Sequence, residues 1–170
     1  MLVLTFQVGP EPLALDIRRV REVVPRVRLR PVSGAPAWLA GVFVYRGRVV
    51  PVLDLHRLAG GGECPPHLSS RIILVPHRAP GPPHPALSPP GGEGRVRGTE
   101  RLLGLLATQV ADLREVPGEQ PPASLAAEGR ADLGPVIPDG DGVLRLLALD
   151  RLLPDAAWRQ LALAPEGDVP

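Results

Sequence analysis

The stretch from Ala40 to Leu55, AGVFVYRGRVVPVLDL, limits the possible folds of this chain more than any other. Its two halves, Val42 to Tyr45 and Val49 to Leu53, are β-branched or aromatic at nearly every position and meet at Arg46 and Gly47. That composition predicts two strands joined by a tight hairpin turn, with Gly47 supplying the positive φ that such a turn requires. Runs this apolar on both faces imply strands buried on both sides, so the charged tip must project into solvent or into a partner.

The rest of the chain repeats the theme of short strands and turns. Leu2, Leu4, Phe6 and Val8 alternate with Val3, Thr5 and Gln7, the period of a half-buried strand. Leu13 to Ile17 and Val20 to Val24 continue it, and Pro25 interrupts the ladder. Pro31 to Pro36 is a loop, Trp38 a core or junction anchor, and Leu55 to Leu58 a short helical turn. Arg71 to Val75, Leu102 to Leu106 and Val110 to Val116 read as further strands; Leu133 to Ile137 and Val143 to Leu149 flank the turn PDGDG. Pro154 sits where a terminal helix can start, with Trp158 and Leu161 as its docking residues. Residues 76–100 hold seven Pro and five Gly without apolar periodicity, which predicts a flexible insertion; 117–132 is a second long loop. At 170 residues the chain supports one domain, or two small lobes sharing a core. Strands without βαβ alternation make it all-β, a barrel or sandwich.

Composition excludes several functions. All 19 basic residues are Arg, yet the net charge is +1 and only five residues are Phe, Trp or Tyr, so nothing favours nucleic acid. The single Cys64 reads as an incidental loop residue in a reducing cytoplasm. Cys64 and His67 have ligand spacing but lack a committed set of four, and Asp139 and Asp141 fit a hairpin turn better than a calcium loop, so neither a metal nor a cofactor is expected. The chain shows no targeting segment and no apolar run of membrane-spanning length, which predicts a cytoplasmic protein without membrane insertion.

Three segments resemble CheW-like domains, the coupling proteins that link chemoreceptors to a histidine kinase. The central one is Gly41-Val42, then Arg46-Gly47, then Val50-Pro51-Val52 with Asp54-Leu55; Val44 stands where the family usually has Asn. The N-terminal ones are Phe6 with Ala14-Leu15-Asp16-Ile17, then Val20, Glu22 and Val23. Gly104, Leu105, Leu106 and Val110 match a later strand, in which Ala107 and Thr108 replace Val-Asp. The resemblance implies two SH3-like five-stranded barrel lobes sharing a hydrophobic core over residues 1–153, with 154–170 a short helix and tail. It implies a non-catalytic adaptor that binds the cytoplasmic tip of a chemoreceptor and the regulatory domain of a CheA-like histidine kinase through Val20, Glu22, Val23, Gly41, Arg46 and Gly47. VYRGR, LGLL and the LGPV…LLPD ending look closest to Wsp-type adaptors of surface-sensing systems. The rival readings are a small-barrel nucleic-acid-binding protein and a small enzyme built on Glu22, Asp54 and His56. Arg46 has two readings, a contact to a partner or a brace onto Glu22 or Asp54.

The proline and glycine density between two strands generates a first prediction. Replacing Arg78 to Thr99 by a short Gly-Ser bridge leaves the melting temperature within a few degrees, because each doubling of a flexible loop costs only about 0.6 kcal/mol. Loss of the cooperative transition in calorimetry would show that the segment packs.

Overall fold

A computed structural model of the chain describes residues 1–77, 101–117, 132–140 and 142–163. The flexibility expected of most of 76–100 and 117–132, the tail after 163, and Asp141 therefore lie outside the described residues. Nine strands follow in order: β1 (Leu2–Val8), β2 (Glu11–Asp16), β3 (Glu22–Pro25), β4 (Leu39–Tyr45), β5 (Arg48–Asp54), β6 (Arg71–His77), β7 (Arg101–Glu115), β8 (Val136–Asp139) and β9 (Gly142–Leu146). Two helices interrupt them, α1 (Leu55–Leu58) and α2 (Asp155–Leu163).

The strands form two five-stranded lobes that share β7. In the hairpin lobe the order is β4-β5-β7-β6-β3, with β5 parallel to the first half of β7 and β6 antiparallel to it. After β3 the chain swings back so that Arg30 bridges Val42 of β4 through two backbone hydrogen bonds of 2.8 and 2.9 Å, which closes the ring. In the terminal lobe the order is β7-β1-β2-β9-β8, and an Arg114–Asp139 ion pair of 2.7 Å spans the gap between β7 and β8. β7 passes from one lobe to the other at Gln109, a non-glycine residue at φ 49°, where its pairing with β1 shifts register between Thr5 and Gln7. Such a bulge re-aims a strand, which is how one strand serves two barrels.

Alternation along each strand divides the core in three. Ile72 and Leu74 of β6 point into the hairpin lobe with Val50, Val52 and Leu106; Ile73 and Val75 point the other way. They meet Leu103 and Leu105 of β7, Leu4 and Phe6 of β1 and Leu13 and Leu15 of β2 in a core shared by both lobes. Val3, Ala14, Ile137 and Leu144 fill the terminal lobe. Ile72 to Val75 are apolar at every position because both faces are interior, and each such side chain contributes about 1.5–3 kcal/mol. α2 closes the shared core with Trp158 and Leu161, and His77 stacks on Trp158 at 5.2 Å between ring centroids. Trp38 packs against the same core.

Four boundaries differ from expectation. The hairpin is not buried on both sides throughout: Val44 of β4 is 57% exposed, because β4 lies at the edge of its sheet, flanked by β5 and a single bridge. Ile17 begins a 3-10 turn, which the Asp16 carboxylate caps by accepting the Arg18 N–H at 2.9 Å. Pro76 and His77 belong to β6, paired with Leu102 and Arg101, and not to the insertion. β9 ends at Leu146, with Leu147 N–H making the last ladder bond to Ala14 O of β2 at 2.7 Å, and Leu149 starts a 3-10 turn.

Gly104 shows how tightly the hairpin lobe is filled. A Cβ there would lie 2.8 Å from Ile72 Cγ2 and 3.0 Å from Val52 Cγ2, both methyls on stiff β-branched side chains. Gly104→Val therefore overpacks the lobe and costs about 1–3 kcal/mol, despite the better strand propensity of Val. A chemical denaturation series reads the loss directly; unchanged stability would mean that the lobe expands freely.

Candidate partner-binding surface

The hairpin between β4 and β5 turns in two residues, Arg46 at φ 48° and Gly47 at φ 75°, with Tyr45 paired to Arg48 across them. Both turn residues in the left-handed region define the type I′ geometry that suits the twist of the flanking strands. Gly47 takes this conformation without strain; Arg46 carries a side chain into it at a cost of about 1 kcal/mol or more.

Two contacts hold Arg46 in that conformation. Its Nη2 lies 3.1 Å from Glu22 Oε2 at the start of β3, and its guanidinium stacks 5.0 Å from the centroid of the Tyr45 ring. The Tyr45 hydroxyl donates to the same Glu22 oxygen, and that bond pushes the phenol above its ordinary pKa. The Arg46 side chain nevertheless remains 75% exposed. Between the two intramolecular readings of Arg46, it reaches Glu22 and not Asp54.

The six residues singled out in the sequence divide into three places. Glu22, Arg46 and Gly47 come together at the hairpin tip. Val20 and Val23 flank it: Val20 is half-buried against the shared core, and Val23 is exposed on the face of β3 opposite to Glu22. Gly41 stands apart, down β4 from the tip. At φ 145° it lets the chain cross closely, since a Cβ would lie 2.5 Å from Arg30 O. Tyr45 was missed, although its place beside Arg46 as the only Tyr was a visible signal.

Asp54 and His56 lie at the other end of β5, about 20 Å from the turn at ~3.3 Å per residue. The buried Asp54 carboxylate caps α1, accepting from His56 N–H at 2.9 Å and Arg57 N–H at 3.3 Å, while Cys64 N–H bonds its other oxygen at 2.9 Å. Three backbone donors occupy this group structurally. The structure thus separates Glu22 from Asp54 and His56, and burial lowers the His56 pKa. Cys64 is not incidental: it is fully buried beside Ile72 and Leu74, and desolvation pushes its thiol up to about 11. Among the described residues no group of three or more His, Cys, Asp and Glu side chains could hold a metal, and no helix is long and apolar enough to cross a membrane.

The Cys64 environment yields a reactivity prediction. With the thiolate as the reacting form, labelling of the native protein by a disulfide reagent at pH 8 runs at least about a hundredfold slower than in denaturant. Rapid labelling of the folded protein would show that Cys64 reaches solvent.

With this geometry in hand, comparisons with known proteins point one way. The family model described as a CheW-like domain matches residues 2–157. FrzA of Myxococcus xanthus is 29% identical over 161 residues, spanning 92% of this chain and 88% of that protein. The chemotaxis protein CheW of Treponema pallidum is 38% identical over 55 residues, about a third of either chain (32%). A crystal structure of the scaffolding protein TtCheW from Thermoanaerobacter tengcongensis superposes with a TM-score of 0.63 at 22% identity, covering 87% of this chain and 84% of that one. Two five-stranded lobes around a shared core and a family match over nearly the whole length make this chain a member of the CheW-like domain family.

Proposed function

We propose that this chain is a non-catalytic signalling adaptor of a chemotaxis-type pathway that couples the cytoplasmic tip of a chemoreceptor to the regulatory domain of a CheA-like histidine kinase. Family membership supports the adaptor class, and the observation that carries the site is the hairpin tip. Arg46 is largely exposed yet held in one direction by Glu22 and the Tyr45 ring, so little side-chain entropy remains to be lost when it meets a partner. A guanidinium so presented makes bidentate bonds to a carboxylate or bonds the carbonyls at a helix end. Val23 offers an exposed apolar side chain on the opposite face of β3, Val20 anchors the approach to that strand on the shared core, and Gly47 holds the turn; Gly41 contributes by shaping β4. The protein acts in the cytoplasm at receptor arrays, and the Wsp-type assignment, which rests on VYRGR, LGLL and LGPV…LLPD, belongs to this proposal.

Substitutions at the tip test it. A surface ion pair such as Arg46–Glu22 is worth about 0–1 kcal/mol, so Arg46→Ala leaves the melt nearly unchanged. In the contact reading it weakens binding to a purified kinase regulatory domain or receptor tip by roughly tenfold or more, measured by calorimetry, and Glu22→Lys weakens it as well. The charge swap Glu22→Arg with Arg46→Glu decides between contact and brace. Restored binding would mean that the pair only braces the hairpin, and a swap that remains defective means that the guanidinium itself meets the partner. If all three variants bind normally, the tip is not the docking surface.

A further inference from the structure

The groove at the opposite end of the hairpin lobe has features that the tip does not explain. It holds about 470 Å3 and runs between the segment that follows β3 and the start of β4. Its apolar lining includes Val27, Val32, Ala35 and Leu39, and Val27 and Val32 are both about two-fifths exposed (41% and 39%). Arg26, Arg28 and Arg57 border it. Arg26 is fixed by Nη1 bonds of 3.0 Å to the carbonyls of Cys64 and Pro65, and Arg57 lies 3.6 Å from Glu63. Arg28 is exposed and pairs with no carboxylate among the described residues; Arg30, two residues on, is the same.

Two further observations say what fits there. Residues 22–77, which span β3 to β6 of the hairpin lobe, carry seven arginines against three carboxylates, so the near-neutral net charge of the chain conceals a basic lobe. Those three carboxylates are engaged already: Glu22 by Arg46, Glu63 by Arg57, and Asp54 by three backbone N–H groups. In addition, the backbone of Val27, Arg28 and Leu29 runs without any hydrogen bond among the described residues, between the β3 ladder and the single bridge at Arg30. An exposed strip of unpaired N–H and C=O groups accepts an added strand.

We infer that this groove is a second docking site, taking an extended acidic segment of a partner protein. The segment pairs its backbone with residues 27–29, sets apolar side chains against Val27 and Val32, and places carboxylates on Arg28 and Arg30. Arg30 bridges Val42, about 13 Å along β4 from Arg46 at ~3.3 Å per residue, and the Asp54 end of the groove lies about 20 Å away along β5, so both sites can be filled at once. The groove is separate from the tip, and its occupancy does not depend on the tip being a docking surface.

The test uses the full chain and a fluorescent peptide alternating Glu or Asp with Val or Leu, with its Gln/Asn counterpart and an oligothymidylate of equal charge as comparisons, read by anisotropy at physiological salt. The acidic peptide binds, its affinity falls steeply with added salt, and amides 27–29 become protected from hydrogen exchange. Arg28→Glu with Arg30→Glu, both exposed and free of internal pairs, keeps the melting temperature and loses at least about tenfold in affinity. Arg46→Ala binds this peptide as well as the parent. No binding at millimolar peptide, equal binding of the Gln/Asn peptide, tighter binding of the oligothymidylate, or indifference to the double substitution would each overturn the inference.

Discussion

The structure depends on one strand being used twice. β7 gives its first half to the hairpin lobe and its second half to the terminal lobe, and the change of direction is concentrated at Gln109. A left-handed conformation at a residue other than glycine costs on the order of 1–3 kcal/mol and persists only where the surroundings over-determine it. Here they do: the Thr108 hydroxyl donates to Gln7 O at 3.2 Å, and buried side chains before the bend lock the strand against β5 and β6. The lobes therefore share both a covalent strand and a core, and neither has a complete sheet alone.

A rigid frame of this kind suits a protein whose task is to hold others. The hairpin lobe places its tip and its groove at the two ends of β5, whose inner residues Val50, Val52 and Leu53 are immobilised by packing. Asp54 performs for the groove end what Glu22 performs for the tip. Each is a carboxylate that fixes a local turn and, by doing so, settles which neighbouring arginines are occupied and which face outward.

Features carried by local chemistry were legible in the sequence. The Arg46-Gly47 turn, α1, the start of α2 and the strands with simple alternation all follow from turn residues and periodicity, and the resemblance supplied the two-lobed arrangement. Features created by tertiary geometry were not legible. Gln109 is an ordinary polar residue within a long strand, and only the paths of β1 and β6 on either side demand a bend there. Val44 read as buried because a β-branched residue signals strand without signalling which strand lies at an edge. Cys64 read as incidental because its burial comes from Asp54 drawing its loop inward, a contact ten residues away. At the candidate site a brace from Arg46 onto Glu22 or Asp54 was legible as an alternative, but the choice of Glu22 over Asp54, and the Tyr45 hydroxyl sharing the same carboxylate oxygen, come only from the tertiary arrangement.

The double use of β7 also sets the order in which the chain can be assembled during its synthesis. β1 and β2 form a hairpin as soon as they emerge, yet the free edge of β1 waits for residues 108–115, and the Met1 ammonium waits for Val116 O, 115 positions later. At ~5–20 residues per second the ribosome leaves that edge open for roughly 5–20 s. During that interval Leu4, Phe6, Leu13 and Leu15 lack the part of the shared core that β7 and α2 supply. Contacts so distant in sequence also slow folding itself, since loop closure must precede the contacts that reward it. The architecture that makes the finished adaptor rigid thus makes the newborn chain dependent on its last third, and hydrophobic capture of the waiting hairpin is the hazard that its folding pathway has to outrun.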